Sequence, residues 1–290
     1  MRFPRTLFAS AWSRRTSSRH IDEAVRPAGI LKTLATPGLH ECNISTLFQA
    51  RMAFEGDAPV FDRPLMIIAF SNRSGSHIVS DYALQTGRIA GAGEHLNHEV
   101  IAQEIVGRQI DSLPDYIRHL DTTLAESSKV LALKASWDQL AMLLRQGIPQ
   151  MFSDTLVLHC MRNDTLAQAV SYAIALRTGQ WTSHQARSVA DVPDIPLPEI
   201  ERQVEEFNRA NLLIRCLCKA HGLRHWEIGY ERLCQDKGAH LALALRATGL
   251  AKPGWIPGAP ALGRQAGPLN DRLAADFLAH VRAAAGPVQR

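Results

Sequence analysis

The sequence has no apolar run that approaches the length of a membrane-spanning helix, so we predict no integral membrane segment. Residues 1–20 contain five arginines, four serines and no acid, and they lack the apolar stretch of a secretory signal. A disordered basic arm is the simplest interpretation, although an organelle transit peptide shares this composition. The net charge of +4 is mild and dispersed, so we expect an anionic small molecule rather than nucleic acid as partner.

Cysteine is also scarce, and its pattern does not suggest a disulfide framework. The five cysteines are an odd number, and Cys216 and Cys218 lie inside a helical pattern. We therefore predict reduced, mostly buried thiols in a cytoplasmic protein. The 290 residues, 46% of them hydrophobic, can bury one substantial core. We divide the chain into an N-terminal extension, 1–60, and a domain, 61–290.

The rest of the chain is organised around residues 65–86. The first six, LMIIAF, are a continuous apolar run typical of a strand buried on both faces. Residues 71–76, SNRSGS, are small and polar; apolar residues at helical spacing follow them, and Gly87 stands where the helix C-cap would fall. Backbone N–H groups and the helix dipole make such a strand–turn–helix unit an anion cradle, to which Arg73 adds positive charge.

Two common phosphate-binding motifs are absent from this cradle. A GxxxxGK[ST] loop would need a lysine and a second glycine, so a nucleoside triphosphatase or a P-loop kinase is disfavoured. A kinase would also need an acidic strand residue suited to magnesium. The GxGxxG fingerprint of dinucleotide-binding proteins is missing as well. We therefore expect this cradle to bind a phosphate-bearing ligand other than a nucleoside triphosphate or a dinucleotide.

Strand-like and helical patterns alternate through the remaining sequence. Further strands are predicted at 130–135, 155–161 and about 226–230, whereas 30–62 and the glycine-rich 89–95 receive no assignment. This alternation predicts a three-layer α/β domain with a mostly parallel sheet flanked by helices. The predicted helices cover about 97–106, 112–126, 136–147, 164–177, 200–217, 238–247 and 269–282.

A second cluster of polar residues follows the predicted strand 155–161. Arg162 comes directly after this strand, and Ser171 lies nine positions later (171 − 162), about two turns into the next helix. Ligands of open α/β sheets bind in the crevice beyond the carboxyl ends of the strands. An arginine and a hydroxyl in these places can therefore converge on one external phosphate.

Taken together, these segments resemble a known family. The loop 71–76 resembles the sulfotransferase loop that binds the 5′-phosphosulfate of 3′-phosphoadenosine 5′-phosphosulfate (PAPS). Its arginine followed by SGS is most similar to the bacterial trehalose 2-sulfotransferase family, and so is 167–181 (AQAVSYAIALRTGQW). Residues 130–140 (VLALKASWDQL) and 263–267 (GRQAG) keep the family's order. The resemblance spans about residue 65 to the C-terminal helix.

The resemblance implies a P-loop-like fold and PAPS-dependent transfer of a sulfuryl group to a hydroxyl of a carbohydrate or related small metabolite. The product would be 3′-phosphoadenosine 5′-phosphate (PAP). A homodimer is one option for the assembly. The residues implied in nucleotide binding are Arg73, Ser74, Gly75 and Ser76 at the 5′-phosphosulfate, Arg162 and Ser171 at the 3′-phosphate, and Arg264 and Gln265 in a closing loop.

The resemblance also places the general base at Glu94, because the family carries A-G-E at this point. Arg73 and the loop would stabilise the departing phosphate, so no metal is required. The family continues with proline and a second acid, whereas His95, Leu96 and Asn97 follow here. Trehalose therefore does not carry over as the acceptor, and His95 is a rival base.

Other interpretations remain open from the sequence. A non-catalytic nucleotide-binding module could use the same loop and the same arginines, and an intact Glu94 favours the enzyme over it. His95 and His98, three residues apart, could share a helix face as metal ligands, but no cysteine or acid stands at matching spacing.

Overall fold

The computed structural model describes residues 29–126, 128–181, 194–261 and 267–286. Within them, five parallel strands form one sheet in the order β2-β3-β1-β4-β5. The strand β1 lies at the centre, and all of its residues are buried, as its apolar sequence predicts. The strands are β1 (Leu65–Phe70), β2 (Ile89–Gly93), β3 (Val130–Ala135), β4 (Thr155–Met161) and β5 (Arg224–Gly229).

Helices cover both faces of this sheet, which confirms the predicted three-layer α/β architecture. Alternate residues of β1 enter different cores, because successive side chains of a strand point to opposite faces. The helices are α1 (Ile30–Ala35), α2 (Leu39–Leu47), α3 (Ser76–Leu84), α4 (His98–Glu104), α5 (Leu113–Leu124), α6 (Trp137–Arg145), α7 (Thr165–Thr178), α8 (Leu197–Ala220), α9 (Tyr230–Gln235), α10 (Ala239–Ala247) and α11 (Pro268–Ala285). One core lies under α5, α6 and α8, and the other lies under α3 and α10.

Strands β1, β3 and β4 have the bounds predicted from the sequence, and β5 begins two residues earlier than predicted. The strand β2 is not predicted, because its sequence, IAGAG, lacks a run of large apolar residues. Gly91 has a φ of +81°, and a Cβ there would lie 2.7 Å from the carbonyl oxygen of Ala132. The glycines make this strand hard to predict from the sequence, but Gly91 allows β2 to approach β3 closely.

The prediction that Gly87 caps α3 is wrong. The C-cap is Gln85, and Gly87 lies in the following turn with a φ of +68°. The chain has only residues 85–88 in which to reverse from α3 into β2. The left-handed conformation is therefore needed in the turn rather than at the cap.

The helices α1 and α2, like α9, are elements that the sequence does not predict. Ile44 of α2, Phe48 directly after this helix and Met52 are at most 4% exposed and pack in the same core as Leu65. The helix α2 lies against α4 and α6. Residues before the sheet therefore contribute to its core. In the ranges that the structure describes, no helix has both the length and the apolar character needed to cross a membrane.

Candidate active site

Four adjacent strands bring the predicted site residues to one edge of the sheet. The loop 71–76 follows β1, Glu94 follows β2, and Arg162 follows β4. Lys134 lies near the end of β3, which is between β2 and β1. Because the strands are parallel, their carboxyl ends meet at the edge where such sheets bind ligands.

The loop 71–76 is held in place by α7. The side-chain amide of Gln168 donates to Ser71 Oγ at 2.9 Å and to the Asn72 carbonyl at 2.7 Å. Gln168 is fully buried. Sequence reasoning missed this residue, although a glutamine on the buried face of a helix signals a specific hydrogen bond.

The end of the loop leads directly into α3. Gly75 is the N-cap, with a φ of +88°, and a Cβ there would lie 2.6 Å from the Tyr230 ring. Ser74 Oγ is buried and, among the residues described, has no hydrogen-bond partner. Ser76, the first residue of α3, is 6% exposed. A glycine-dependent turn thus presents a helix N-terminus and an unpaired hydroxyl, as expected of an anion cradle.

Arg73 extends from this loop to α7. Its backbone has a φ of +63°, its Nε donates to Ser171 Oγ at 3.0 Å, and its Nη1 donates to the Trp181 carbonyl. Burial lowers the pKa of Arg73, and the positive charge of Arg162 lowers it further. Arginine nevertheless stays protonated in proteins. The charges of two guanidinium groups therefore act on each other where the sequence predicts phosphates.

Arg162 is the second of these cations. Its guanidinium carbon is 4.9 Å from the centroid of the Tyr230 ring, and its Nε is 3.9 Å from Glu231 Oε1. The carboxylate of Glu231 already accepts the backbone N–H groups of Asn163 and Asp164, at 3.1 and 3.2 Å. In the described part of the chain, Arg162 Nε is buried without a hydrogen-bond partner. A ligand oxygen could satisfy this donor.

The predicted pair of Arg162 and Ser171 is linked through Arg73. Ser171 contacts Arg73 directly, and Arg73 lies within electrostatic range of Arg162. A cavity bounded by Arg73, Ser171 and Asn270 lies between α7 and α11. Arg264 and Gln265 lie outside the described residues, so their predicted nucleotide contact stays a prediction.

Glu94 lies on the other side of the same edge and pairs with Lys134. The Lys134 Nζ is 2.6 Å from Glu94 Oε1 and 4.5 Å from the centroid of the Phe70 ring. The Lys134 side chain is 3% exposed, whereas that of Glu94 is 43% exposed and thus accessible to a ligand. Sequence reasoning gave Lys134 no role, although a single lysine inside the apolar β3 sequence, VLALKA, is a signal for a buried charge pair.

The protonation states near Glu94 follow from this pair. Burial alone would raise the pKa of Glu94, but the charge and the hydrogen bond of Lys134 outweigh it, so the pKa is lowered. His77 Nε2 lies 3.7 Å from Glu94 Oε1. Burial, and then the charge of Lys134, lower the pKa of His77 to about 4. At neutral pH the site therefore holds an ionised carboxylate beside a neutral imidazole.

His95, the rival base, has different surroundings from Glu94. Burial lowers the pKa of His95, and Glu104 is the charge that acts against this effect. The His95 carbonyl accepts the Tyr116 hydroxyl at 2.9 Å. Glu94 instead interacts with Lys134 and the histidines on its own side. Two residues adjacent in sequence thus belong to different environments.

His98 pairs with a residue of α2. Its Nδ1 is 3.0 Å from His40 Nδ1, and its backbone N–H donates to the same atom at 3.3 Å. Burial lowers the pKa of His40, and Glu94 is among the charges that act on it. The segment before the sheet therefore reaches the side of the site where Glu94 lies. Sequence reasoning missed His40, because nothing local links residue 40 to residue 98.

Comparison with known proteins gives a family match. Residues 65–279 match the sequence model described as Stf0 sulphotransferase. No curated protein matches the chain at a significant level. The structure is similar to the sulfotransferase domain from the Synechococcus PCC 7002 olefin synthase, with 14% identity, a TM-score of 0.47, and coverage of 78% of this chain and 98% of that one. It is also similar to a sulfotransferase from Alicyclobacillus acidocaldarius, with 15% identity, a TM-score of 0.48, and coverage of 76% and 93%.

The family assignment rests on the sequence match, which extends over most of the chain. It includes the loop 71–76, Glu94, Lys134, Arg162 and Ser171. The same residues meet at one edge of the sheet. The chain therefore belongs to the Stf0 sulfotransferase family, and it is a sulfotransferase.

Proposed function

We propose that this enzyme transfers a sulfuryl group from PAPS to a hydroxyl of a carbohydrate or related small metabolite, with Glu94 as the general base. The observation that carries the proposal is the meeting of two different groups at one sheet edge. The nucleotide side consists of the loop 71–76, Arg162 and Ser171. The acceptor side consists of His40, His77, Glu94 and Lys134. His77 lies 3.7 Å from Glu94, and the charge of Arg73 on the other side also lowers the pKa of His77.

On the nucleotide side, the loop amides and the N-terminus of α3 are suited to the 5′-phosphosulfate. Arg162 and Ser171 are assigned to the 3′-phosphate, which distinguishes PAPS from AMP and ATP. The buried Nε of Arg162, which has no hydrogen-bond partner among the residues that the structure describes, supports this assignment, because a charge-assisted bond to phosphate would satisfy it. Arg73 lies between the two positions and can stabilise charge on the departing phosphate.

On the acceptor side, the ionised Glu94 takes the proton of the acceptor hydroxyl as its oxygen attacks sulfur. The new O–S bond forms while the bond from sulfur to the 5′-phosphate oxygen breaks, and PAP leaves with the electron pair. Glu94 then releases the proton to solvent. Lys134 holds the carboxylate in place, and the neutral imidazoles of this side can bind further hydroxyls of a polyhydroxylated acceptor. Positive charge comes from side chains, so the proposed transfer needs no metal.

The first test compares nucleotides by thermal shift. We expect PAP to stabilise the chain strongly, by about 2.7 kcal/mol at one hundred times its dissociation constant. AMP and ATP should shift the melting temperature far less, because they lack the 3′-phosphate. Equal shifts with PAP and AMP would contradict the assignment of Arg162 and Ser171.

The second test is a screen of mono- and disaccharides and other small hydroxyl compounds with radiolabelled PAPS. A labelled, sulfated product is the expected outcome. A chain that binds PAP but sulfates no compound in this screen would favour the alternative of a non-catalytic nucleotide-binding module.

A further inference from the structure

A cluster of three side chains with metal-ligating atoms lies on β4 and β5, apart from Glu94. His159 is on β4, and His225 and Glu227 are on β5. The strands pair in parallel, with Val157 opposite His225 and His159 opposite Glu227. Residues two apart on a strand share a face, so all three side chains point to the face that α8 covers. One ligand atom from each of the three lies within 4.8 Å of the other two.

The two histidines have nitrogen atoms available to this cluster. His159 is completely buried, and its Nε2 lies 3.1 Å from Asn211 Oδ1 of α8. An amide oxygen only accepts, so Nε2 carries the proton and Nδ1 carries the lone pair. Among the residues described, neither His159 Nδ1 nor His225 Nε2 has a hydrogen-bond partner, and both atoms are buried. The two rings stack with their centroids 5.5 Å apart.

The third side chain is oriented by α8. Arg215 Nε donates to Glu227 Oε1 at 2.5 Å, while Arg215 Nη2 is 3.4 Å from Oε2 and 3.0 Å from Met161 Sδ. One carboxylate oxygen is thus held firmly, and the other is held weakly. Metal-ligating histidines and carboxylates commonly have such outer hydrogen bonds, which fix the tautomer or the orientation of the ligand. Asn211 and Arg215 occupy the positions of these outer partners.

We propose that His159, His225 and Glu227 bind one divalent transition-metal ion, for which zinc is the probe. Two imidazoles and a carboxylate match the ligand preference of zinc, whereas magnesium and calcium prefer oxygen ligands alone. The ion joins β4 to β5 across their shared face. Arg162 lies three residues after His159, and Tyr230 lies three residues after Glu227. The metal therefore supports the two strand ends that position Arg162, and it takes no part in sulfuryl transfer.

The test uses the full chain after chelator treatment and dialysis. Competition titration with a chromophoric chelator measures zinc affinity, and the visible spectrum of added cobalt reports a site with histidine ligands. We expect one ion per chain and a higher melting temperature with zinc. His225→Ala and Glu227→Gln should each weaken zinc binding by at least about 10-fold, since even loss of an outer partner typically costs 10- to 100-fold. Both residues lie on the edge strand, where substitution disturbs the core least.

The matched control is His221→Ala, which removes an exposed histidine four residues before His225. This variant should bind zinc as the wild-type chain does. Circular dichroism establishes that each variant is folded. Zinc uptake that is the same in the wild-type chain, His225→Ala and Glu227→Gln would place the ion elsewhere and overturn the proposal. A folded wild-type chain that takes up no zinc would also overturn it.

Discussion

The two sides of the site balance charge differently. On the nucleotide side, the positive charges of Arg73 and Arg162 act on each other, and the buried Nε of Arg162 lacks a hydrogen-bond partner within the described residues. On the acceptor side, Glu94 and Lys134 form a pair at 2.6 Å. Glu231 is the carboxylate that lies beside Arg162, and it already accepts two backbone N–H groups, so the first side keeps positive charge for an anionic ligand, whereas Glu94 and Lys134 balance each other on the second. The proposed function uses this difference, since it places the charged donor on the first side and a neutral hydroxyl on the second.

The largest expected effect comes from removing the base. Glu94→Gln keeps the shape of the side chain but removes its proton-accepting carboxylate. We expect the turnover number to fall about 10²- to 10⁴-fold, or roughly 3 to 5 kcal/mol of barrier. The measurement is the rate at saturating PAPS with an acceptor found by the screen. His95→Ala is the parallel variant and should keep most of its activity. Near-full turnover in Glu94→Gln with none in His95→Ala would show that the base is His95.

The next largest effect concerns the nucleotide side. Arg162→Ala should weaken PAP binding by about 1.5 to 3 kcal/mol, or roughly 10- to 100-fold, because hydrogen bonds to charged groups are the stronger ones. Arg162→Lys should restore only part of this loss, since lysine cannot reproduce the planar donor geometry. Arg224→Ala is the control, because this half-exposed arginine lies at the other end of β5 and pairs with Asp154. Equal losses in both alanine variants would contradict a specific role for Arg162.

Lys134→Met tests whether the charge of Lys134 keeps the pKa of Glu94 low. The substitution removes the charge that lowers the pKa of Glu94 and leaves burial, which raises it. Because the base must be ionised, activity falls as the pH falls through this pKa. The acidic limb of the kcat/KM profile should therefore move to higher pH in the variant. The control is Lys129→Met, which replaces a partly exposed lysine that lies just before β3 and pairs with Glu126, and this variant should leave the limb in place. An unchanged acidic limb in Lys134→Met would show that Lys134 does not set the pKa of the base.

A smaller effect is expected for Ser171→Ala. The variant removes a neutral hydroxyl that accepts a hydrogen bond from the charged guanidinium of Arg73 and that is proposed to contact the 3′-phosphate. Because both charged partners remain and can bond to each other or to water, we expect a loss of only about 0.5 to 1.5 kcal/mol, so PAP binding should weaken roughly 2- to 10-fold in a calorimetric titration. Thr122→Ala removes a hydroxyl on the outer face of α5 and serves as the control. A loss as large as that of Arg162→Ala would mean that Ser171 also determines the position of Arg73.

The smallest expected effect is that of chelation on the transfer step. At saturating PAPS, the initial rate measured directly after addition of EDTA should equal the untreated rate, because the proposed chemistry uses only side-chain charges and the ion proposed for β4 and β5 takes no part in it. Circular dichroism in the same sample controls for folding. A rate that falls while the fold is intact, and returns with magnesium, would contradict the metal-free step.

The elements that form the proposed nucleotide side could be predicted from the sequence, because each of them is local. A strand, six small residues and a helix start specify the loop 71–76, and the spacing of Arg162 and Ser171 lies within one strand–helix unit. The direct bond between Arg73 and Ser171 could not be predicted, because it joins residues 98 positions apart. The resemblance provided the family assignment, which the family match then confirmed.

The acceptor side could be predicted only in part. The resemblance identifies Glu94 as the base. It does not identify the partner of Glu94, because Lys134 lies 40 positions away on a neighbouring strand. That pairing depends on β2 lying beside β3. The sequence does not predict β2, because its glycine-rich sequence lacks large apolar residues. His40 depends in the same way on α2 packing against α4. Contacts that depend on tertiary packing produce no recognisable pattern in the sequence. A phosphate loop does, because its residues are consecutive.

The central claim is that donor binding and proton transfer belong to separate sides of the site. The most direct measurement is calorimetric titration of PAP into Glu94→Gln, beside the wild-type chain and Arg162→Ala. We predict that Glu94→Gln binds PAP within about twofold of the wild-type affinity, because its lost carboxylate is not proposed to contact the nucleotide, while Arg162→Ala loses roughly 10- to 100-fold. A loss in Glu94→Gln as large as that in Arg162→Ala would contradict the separation of the two sides.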